Sequence, residues 1–433
     1  MSIRVSTTNL FEQGLSAIAD RQRGLLDVQQ QVSTGRRVAR PSDDPIAAGR
    51  ILDVTQSQAV SEQFVRNADS AESALSLTER NLSGVVALLQ DVRATMVAAG
   101  NPALGNAGRA TLAGDLGGRY QDLLGLANAT DGQGNYLYSG YRGAIRPFSE
   151  TAPGQVQYAG DQGQRLIQLS PSRFIEVSES GADVFQRVRT GNGAFLAQAG
   201  AGNTGTARIG AGSVVDPAAW EAPGNPGRFT VRFDVDSSAV PAVTTYDIVD
   251  AVSGNSLLTG AAASPTGPYA RTYVSGSAIA LRSEGAEPAF DMGINVAVEG
   301  DPADGDTVSI ERSGTQDVFA TIHQAIQALS TPVNGAQGEA RLANAITLAL
   351  SNLDNALGRA LDVQTSLGSR QREVESTRST SADLADQYTE EVSRLRDVDL
   401  ARAISDLTLQ QTLLQAAQQS FLRVQNLSLF ELL

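Results

Sequence analysis

The sequence predicts an α+β protein: an elongated helical rod of long, coiled-coil-like N- and C-terminal helices with a central antiparallel β domain. Three observations predict it. Proline is segregated: of 15 prolines, Pro41, Pro45 and Pro102 lie early, the rest fall from Pro147 to Pro332, and none follows. Because proline breaks helix interiors, the two ends are free to be helical and the middle is not. Apolar residues recur at heptad spacing in both ends, whereas the middle clusters β-formers between Gly/Pro turns.

In the first helical segment Phe11, Ile18, Leu25 and Val32 recur every seven residues, interleaved with Leu15, Gln22 and Gln29. The stretch 33–45, Ser-Thr-Gly-Arg-Arg-Val-Ala-Arg-Pro-Ser-Asp-Asp-Pro, interrupts it. Gly35 suits a helix C′ position, Pro41 marks the break, and Asp44 before Pro45 reads as an N-cap and first helical residue. Capping accounts for Asp43 and Asp44 better than acid/base or metal chemistry, since no His or further acidic cluster follows at ligand spacing.

From Phe64 a 4-3 rhythm continues through Ala68, Ala71, Leu75, Thr78, Leu82, Val85, Leu89, Val92 and Met96. A helix from Pro45 to Ala99 would be about 80 Å long. The C-terminal part carries the same rhythm in Leu342, Ile346, Ala349, Leu353, Ala356, Ala360, Val363 and Leu367, then Leu384, Tyr388, Leu395 and Val398. The register then slips. Leu400, Ile404, Leu407, Leu414 and Phe421 form the last stripe, with Gln411 and Gln418 between them.

Heptads of this length indicate helices packed along one another. The middle pair reads as an ordinary antiparallel bundle. The outermost two have Gln in their seams, so each is marginal alone and gains from mutual packing or from neighbouring subunits. They are expected to order on assembly.

Strands are expected at 135–141, 155–158, 165–169 and 174–177, then, after a Gly-rich linker at 191–212, at 228–235, 244–249, 273–281, 294–298 and 307–310. Helix resumes at 317–322. The expected domains are terminal assembly helices at 1–42 and 395–433, a helical rod with an inner β-hairpin region at 43–190 and 313–394, and an outer β domain at 191–312.

Composition narrows the function. The 433 residues suffice for two or three domains, and with 41% hydrophobic but only 5% aromatic residues they suit Ala/Leu-rich helices. The net charge is −14 and every basic residue is Arg, which argues against a nucleic-acid partner and suits solubility. Cysteine is absent, so disulfides, thiolate metal sites and cysteine nucleophiles are excluded. The N-terminus has no basic region followed by an apolar one, as a cleavable secretory signal would, and no stretch reads as a membrane span.

Catalytic candidates fail. His323 is the single histidine and has no triad partner in sequence. The stretch 301–306, Asp-Pro-Ala-Asp-Gly-Asp, lacks calcium-loop spacing and reads as a β-turn. Gly132-Gln-Gly134 opens no helix, so it is no phosphate loop. Neither enzyme chemistry, cofactor nor metal site is expected.

Both termini carry specific motifs. The N-terminal set is Arg4-Val-Ser-Thr7, the Gln/Leu-rich helix, Ser33-Thr-Gly35, and Pro41-Ser-Asp-Asp-Pro45-Ile-Ala-Ala48. The C-terminal set is Asp397-Val-Asp399-Leu-Ala-Arg-Ala, Gln410-Gln-Thr-Leu-Leu-Gln-Ala-Ala-Gln-Gln-Ser-Phe421, and the ending Leu427-Ser-Leu-Phe-Glu-Leu-Leu433. With Tyr136-Leu-Tyr-Ser-Gly140 and Gly181-Ala-Asp-Val-Phe185, these resemble the flagellin superfamily, and more closely its hook–filament junction branch, the hook-associated protein 3 family. The proline-flanked Asp-Asp pair and the C-terminal ending favour that branch over filament flagellin.

The resemblance implies an extracellular structural component of the bacterial flagellum, exported unfolded by the flagellar type III apparatus with no cleaved signal. Such a protein would add to the first hook-associated protein, contact copies of itself in a ring or helical layer, and serve as the base on which flagellin polymerises. A flagellar export chaperone is a further implied partner; nucleic acid and membrane are not. The termini would line the tube's channel, with the assembly interface carried by Phe11, Leu15, Ile18, Leu25, Val32, Leu400, Ile404, Leu407, Leu414 and Phe421. The alternatives are filament flagellin itself and a secreted adhesin or glycan-binding protein using the β domain, whose only Trp is Trp220.

Overall fold

The structure, a computed structural model, describes residues 7–430. The Arg4–Thr7 motif and the Leu427–Leu433 ending lie outside the residues whose side chains are described. Among the described residues the helices are α1 (Thr7–Thr34), α2 (Pro45–Ala99), α3 (Asn106–Ala127), α4 (Pro217–Glu221), α5 (Val318–Ser330), α6 (Gly335–Arg396) and α7 (Leu400–Phe430). The strands are β1 (Phe148–Ala152), β2 (Gln155–Tyr158), β3 (Leu166–Ser170), β4 (Arg173–Glu176), β5 (Val188–Arg189), β6 (Phe195–Ala199), β7 (Arg208–Ile209), β8 (Ser213–Val214), β9 (Arg228–Asp236), β10 (Val243–Asp250), β11 (Arg271–Thr272), β12 (Ala278–Arg282), β13 (Asp291–Glu299), β14 (Thr307–Arg312) and β15 (Thr315–Gln316). Long terminal helices thus flank a central antiparallel β region, the predicted class.

The chain forms two compact units. The first gathers the chain up to Asp69, Gln168–Arg173, and the chain from Glu375; the second is Ser70–Ile167 with Phe174–Val374. The expected boundaries at 42/43 and 394/395 fall inside the first unit, and those at 190/191 and 312/313 inside the second.

In the first unit α1 pairs with α7, and the start of α2 runs antiparallel to the end of α6. Gln58 donates to Thr389 at 3.1 Å and Arg50 lies 3.7 Å from Glu391. The seam of α6 departs here from the expected one. Leu384 is exposed, and Ser381, Ala385 and Val392 are the buried positions. A straight helix drifts about 20° per heptad against a seven-residue repeat, which over several heptads moves the buried stripe by one position.

In the second unit the predicted stripe of α2 is buried from Ala71 to Met96, including the polar Thr78, whose hydroxyl bonds back to the Ala74 carbonyl at 3.0 Å. The stripe of α6 is buried from Leu342 to Leu367. Arg93 meets Asp354 at 2.6 Å, and Gln364 bonds Glu79 and Ser83, which sets the two helices antiparallel. An 18-residue window of α2 reaches mean hydropathy 1.3, enough in length and composition to cross a membrane. Its apolar stripe is occupied by the protein core.

Helix α3 was not expected. Its five glycines lower helix propensity and blur the pattern, yet Leu116, Tyr120, Leu123 and Ala127 are buried at helical spacing. Residues 135–141, expected as a strand, form turns touched by two isolated bridges, Thr130–Tyr136 and Ser139–Ser180. Gly134 and Gly140 take φ of 87° and 69° at the two sides of this stretch, a left-handed backbone that turns the chain. Tyr138 instead drops into an aromatic cluster, edge-on to Phe185 at 5.2 Å.

The β region is a sandwich. A sheet ordered β11-β10-β9-β14-β6 faces a second ordered β12-β13-β7, with β8 also on β13. Phe195, Phe229, Phe233, Ile248, Val296 and Ile310 fill the space between them. The stretch 191–212, expected as a linker, contributes β6 and β7 to these sheets. Its glycines mark turns between strands rather than slack chain: a Cβ on Gly191 would stand 2.2 Å from the Phe195 carbonyl oxygen.

Candidate assembly interface

The terminal pair α1/α7 is antiparallel: Phe11 stacks near Phe421 with ring centroids 5.1 Å apart, Gly24 faces Gln410, and beyond the helices Arg36 bridges Asp397. On α7 the positions turned inward are Ala403, Leu407, Gln410, Leu414, Ala417 and Phe421, a regular 4-3 series. On α1, Gly14, Ile18, Gly24, Leu25, Val28 and Val32 are half-buried. The glycines decide how closely the helices approach, since a Cβ on Gly14 would stand 2.6 Å from Cδ2 of Phe421.

This seam corrects the predicted stripe. Leu400 and Ile404 are 51% and 53% exposed, and the small Ala403 is the buried residue between them. Gln22, Gln29, Gln411 and Gln418 are exposed rather than seam residues; the glutamine in the seam is Gln410, whose Oε1 is buried without a partner. Close approach selects small side chains at Gly14, Gly24, Ala403 and Ala417, set among the bulkier Leu407, Leu414 and Phe421. Phe11 and Leu15 are 45% and 47% exposed despite the contact with α7. Sequence reasoning missed Gly14, Gly24, Ala403, Gln410 and Ala417. Isolated glycines inside a helical pattern were the available signal.

The connectors around the pair are tied by backbone. Gly35, with φ of 69°, ends α1. Its carbonyl accepts from Val398 N at 3.0 Å, and the Arg396 carbonyl accepts from Arg37 N at 2.7 Å and Val38 N at 3.3 Å. The Arg37 guanidinium donates to the Leu395 carbonyl at 2.7 Å and meets Asp44 at 3.2 Å. Pro41 sits in the intervening turn. Asp43 accepts from the N–H groups of Ala39 and Arg40, and Asp44 accepts from Ala47 N at 3.0 Å, capping α2 at Pro45.

These bonds also set the charges. The Ala47 N–H, then Arg37, holds the Asp44 carboxyl below its usual value. The Ser393 hydroxyl, then Arg396, does the same for Asp397. Both are locked as acceptors of structural bonds. Phe11, Leu15, Leu400 and Ile404 are about half exposed, so covering what remains of each would contribute about half of the ~1.5–3 kcal/mol of a full burial.

The residues weighed for catalysis have structural places. His323 is half-buried, its Nε2 lies 3.0 Å from Gln327 Nε2, and the β1–β2 turn at Gly154 packs on its ring. Asp317 caps α5 through Ala320 N. In the 301–306 turn Asp306 accepts from Thr204 N, Gly205 N and Ala303 N, so its carboxylate ties the turn to the neighbouring loop. Among the described residues no group of three or more His, Cys, Asp or Glu is placed to hold a metal. Trp220 is buried, donates to the Ala194 carbonyl at 3.2 Å and lies beneath Arg312, so it offers no exposed face for a sugar.

Comparison with known proteins finds family matches at both ends of the chain. Residues 5–142 match the family described as the bacterial flagellin N-terminal helical region, and residues 350–433 the bacterial flagellin C-terminal helical region. The flagellar hook-associated protein 3 of Salmonella typhimurium is 27% identical over 431 residues, 99% of each chain. That of Escherichia coli is 28% identical over 432 residues, again 99% of each. Among solved structures, flagellar hook-associated protein 3 from Legionella pneumophila superposes with a TM-score of 0.70 at 30% identity, covering 80% of this chain and 98% of that one. The Xanthomonas campestris protein FlgL gives 0.66 at 27%, covering 78% and 99%.

Proposed function

The chain belongs to the flagellar hook-associated protein 3 family, and from that premise we propose that it is a structural piece of the bacterial flagellum that joins hook to filament through its terminal helices. The observation that carries the second half is the α1/α7 pair. It buries one narrow seam and leaves Phe11, Leu15, Leu400 and Ile404 exposed. A tube grows by heterologous contacts repeated along a helix, and such contacts need apolar surface that a single subunit does not cover itself.

In this reading the terminal helices hold only marginally in the free chain and order fully when neighbours cover them, which confines polymerisation to the growing end. The inner layer is then 1–42 with 395–433. Copies of the chain itself, the first hook-associated protein on the hook side and flagellin on the filament side are the partners. The chain leaves the cell unfolded through the flagellar export apparatus, guided by a chaperone.

Immunogold labelling of intact flagella tests the placement. A single spot between hook and filament is the expected result. Label along the filament would mean that the chain is filament flagellin, and label absent from flagella altogether would overturn the reading.

A further inference from the structure

Asparagine is followed by glycine twice in the sequence, at Asn192-Gly193 and Asn334-Gly335, and both pairs lie in the second unit. Their surroundings are opposite. Asn192 is half-buried at the entry to β6. Its Oδ1 accepts from Ala194 N at 3.0 Å and Phe195 N at 2.9 Å, and its Nδ2 donates to the Ala211 carbonyl at 3.1 Å. Gly193 N donates to the Thr190 carbonyl at 3.3 Å. Asn334 and Gly335 are exposed, in the joint between α5 and α6. Among the described residues the Asn334 side chain has no hydrogen-bond partner, and neither has the Gly335 N–H, which as the first of α6 precedes the helical ladder. A Cβ on Gly335 would meet nothing within 4 Å, so this nitrogen is uncrowded. The chain is anchored one residue before the pair, where Val333 exchanges hydrogen bonds with the Asn106 side chain at 3.0 and 3.2 Å.

We propose that Asn334 is a site of spontaneous deamidation, with water as the only co-reactant. The Gly335 nitrogen attacks the side-chain carbonyl carbon of Asn334, and the new C–N bond closes a succinimide ring. The amide nitrogen leaves as ammonia and takes the proton lost from the Gly335 N–H. Water then opens the ring. Breaking the new C–N bond gives aspartate, and breaking the original peptide bond gives isoaspartate, with one more methylene in the backbone. Glycine favours the attack because it has no Cβ to crowd the nitrogen. Asn192 forms the same dipeptide, but its hydrogen bonds and that of Gly193 N hold both reacting groups in other partnerships. Either product at 334 puts a carboxylate into the cleft of about 350 Å³ that Asn334 shares with Gln337 and Arg341.

Incubation of the full-length chain at mildly alkaline pH, then digestion after arginine and mass spectrometry, reads both sites. The peptide 313–341 should gain about one dalton at Asn334, the exchange of an amide for a carboxylate. Isoelectric focusing of the intact chain should show a new acidic band that Asn334→Gln lacks. In the folded chain Asn192 should convert at least about tenfold more slowly than Asn334, since its hydrogen bonds have to break first. In urea the two should convert at similar rates, because the shared dipeptide alone then governs both. No conversion at Asn334 in the folded chain, an equal acidic band in Asn334→Gln, or a rate ratio unchanged by unfolding overturns the proposal.

Discussion

Phe421 of α7 stands where a side chain on Gly14 of α1 would be, so close that a Cβ there would lie 2.6 Å from the ring. The neighbouring Phe11 ring packs against Phe421 at a tilt, with centroids 5.1 Å apart. Axial register in this antiparallel pair therefore rests on one glycine and two rings.

Gly14→Val should force Phe421 out of the seam and separate the helices at that end. Hydrogen exchange in α1 and α7 should rise in the free chain, and incorporation into flagella should fail. Gly49 in α2 is the control, since a Cβ there meets nothing within 4 Å. Gly49→Ala should stabilise by about 0.5–1 kcal/mol through helix propensity alone. If exchange in Gly14→Val matches the parent, the ring has swung aside and the register is set elsewhere.

Leu407→Asp and Leu414→Asp should leave the protein soluble and its second unit folded, because both lie in the half-buried α7 seam. They should abolish incorporation. Leu82→Asp should behave in the opposite way. Leu82 is fully buried in α2, and an unpaired carboxylate there costs several kcal/mol, so thermal unfolding should shift down steeply. Normal flagella from either α7 variant would remove the terminal seam from the mechanism.

The legibility of this molecule follows side-chain size. The α2 stripe from Ala71 to Met96 was readable because large apolar residues hold six of its eight seam positions and fill a conventional core. The α7 seam was misread for the opposite reason. Its inward positions include Ala403 and Ala417, while the larger Leu400 and Ile404 point outward. A rule that assigns bulky residues to the inside fails where helices approach over Gly and Ala. Helix α3 failed likewise through its glycines, and β6 through the glycines that bound it. The backbone ties between Gly35, Arg396 and Val398 join positions far apart in sequence through groups that every residue has, so no side-chain pattern announces them.

Asn352 of α6 makes a buried bond that sequence reasoning also missed: its Oδ1 accepts from Gly191 N at 2.8 Å. Nearby, Asn355 donates to the carbonyls of Arg189 and Gly191, and Asn344 both accepts from Ile209 N and donates to the Ala207 carbonyl. Asn352→Leu keeps the volume and strands the Gly191 N–H, at about 1–3 kcal/mol. Chemical denaturation should show that loss. Limited proteolysis should show faster cleavage within 191–212, and cleavage at the parental rate would mean that the remaining asparagines hold the entry to the sandwich unaided.

Glu179 provides a pH test of the second unit. It is 5% exposed and pairs with Arg370, which also donates to the Glu176 carbonyl at 3.1 Å. Burial raises its carboxyl above the usual value, and Arg370 only partly offsets this. With the folded value above the unfolded one, the stability from its protonation is fully present below the ordinary glutamate range and is lost as pH rises through the raised value. Arg370→Met removes the counter-charge and should raise the carboxyl further. The variant should lose about 3–5 kcal/mol at pH 7, as expected for a buried ion pair deprived of one partner. It should recover part of that loss at pH 5, since the raised carboxyl protonates more readily as pH falls. Urea unfolding at the two pH values measures the difference; an equal loss at both would assign Arg370 a packing role with no electrostatic share.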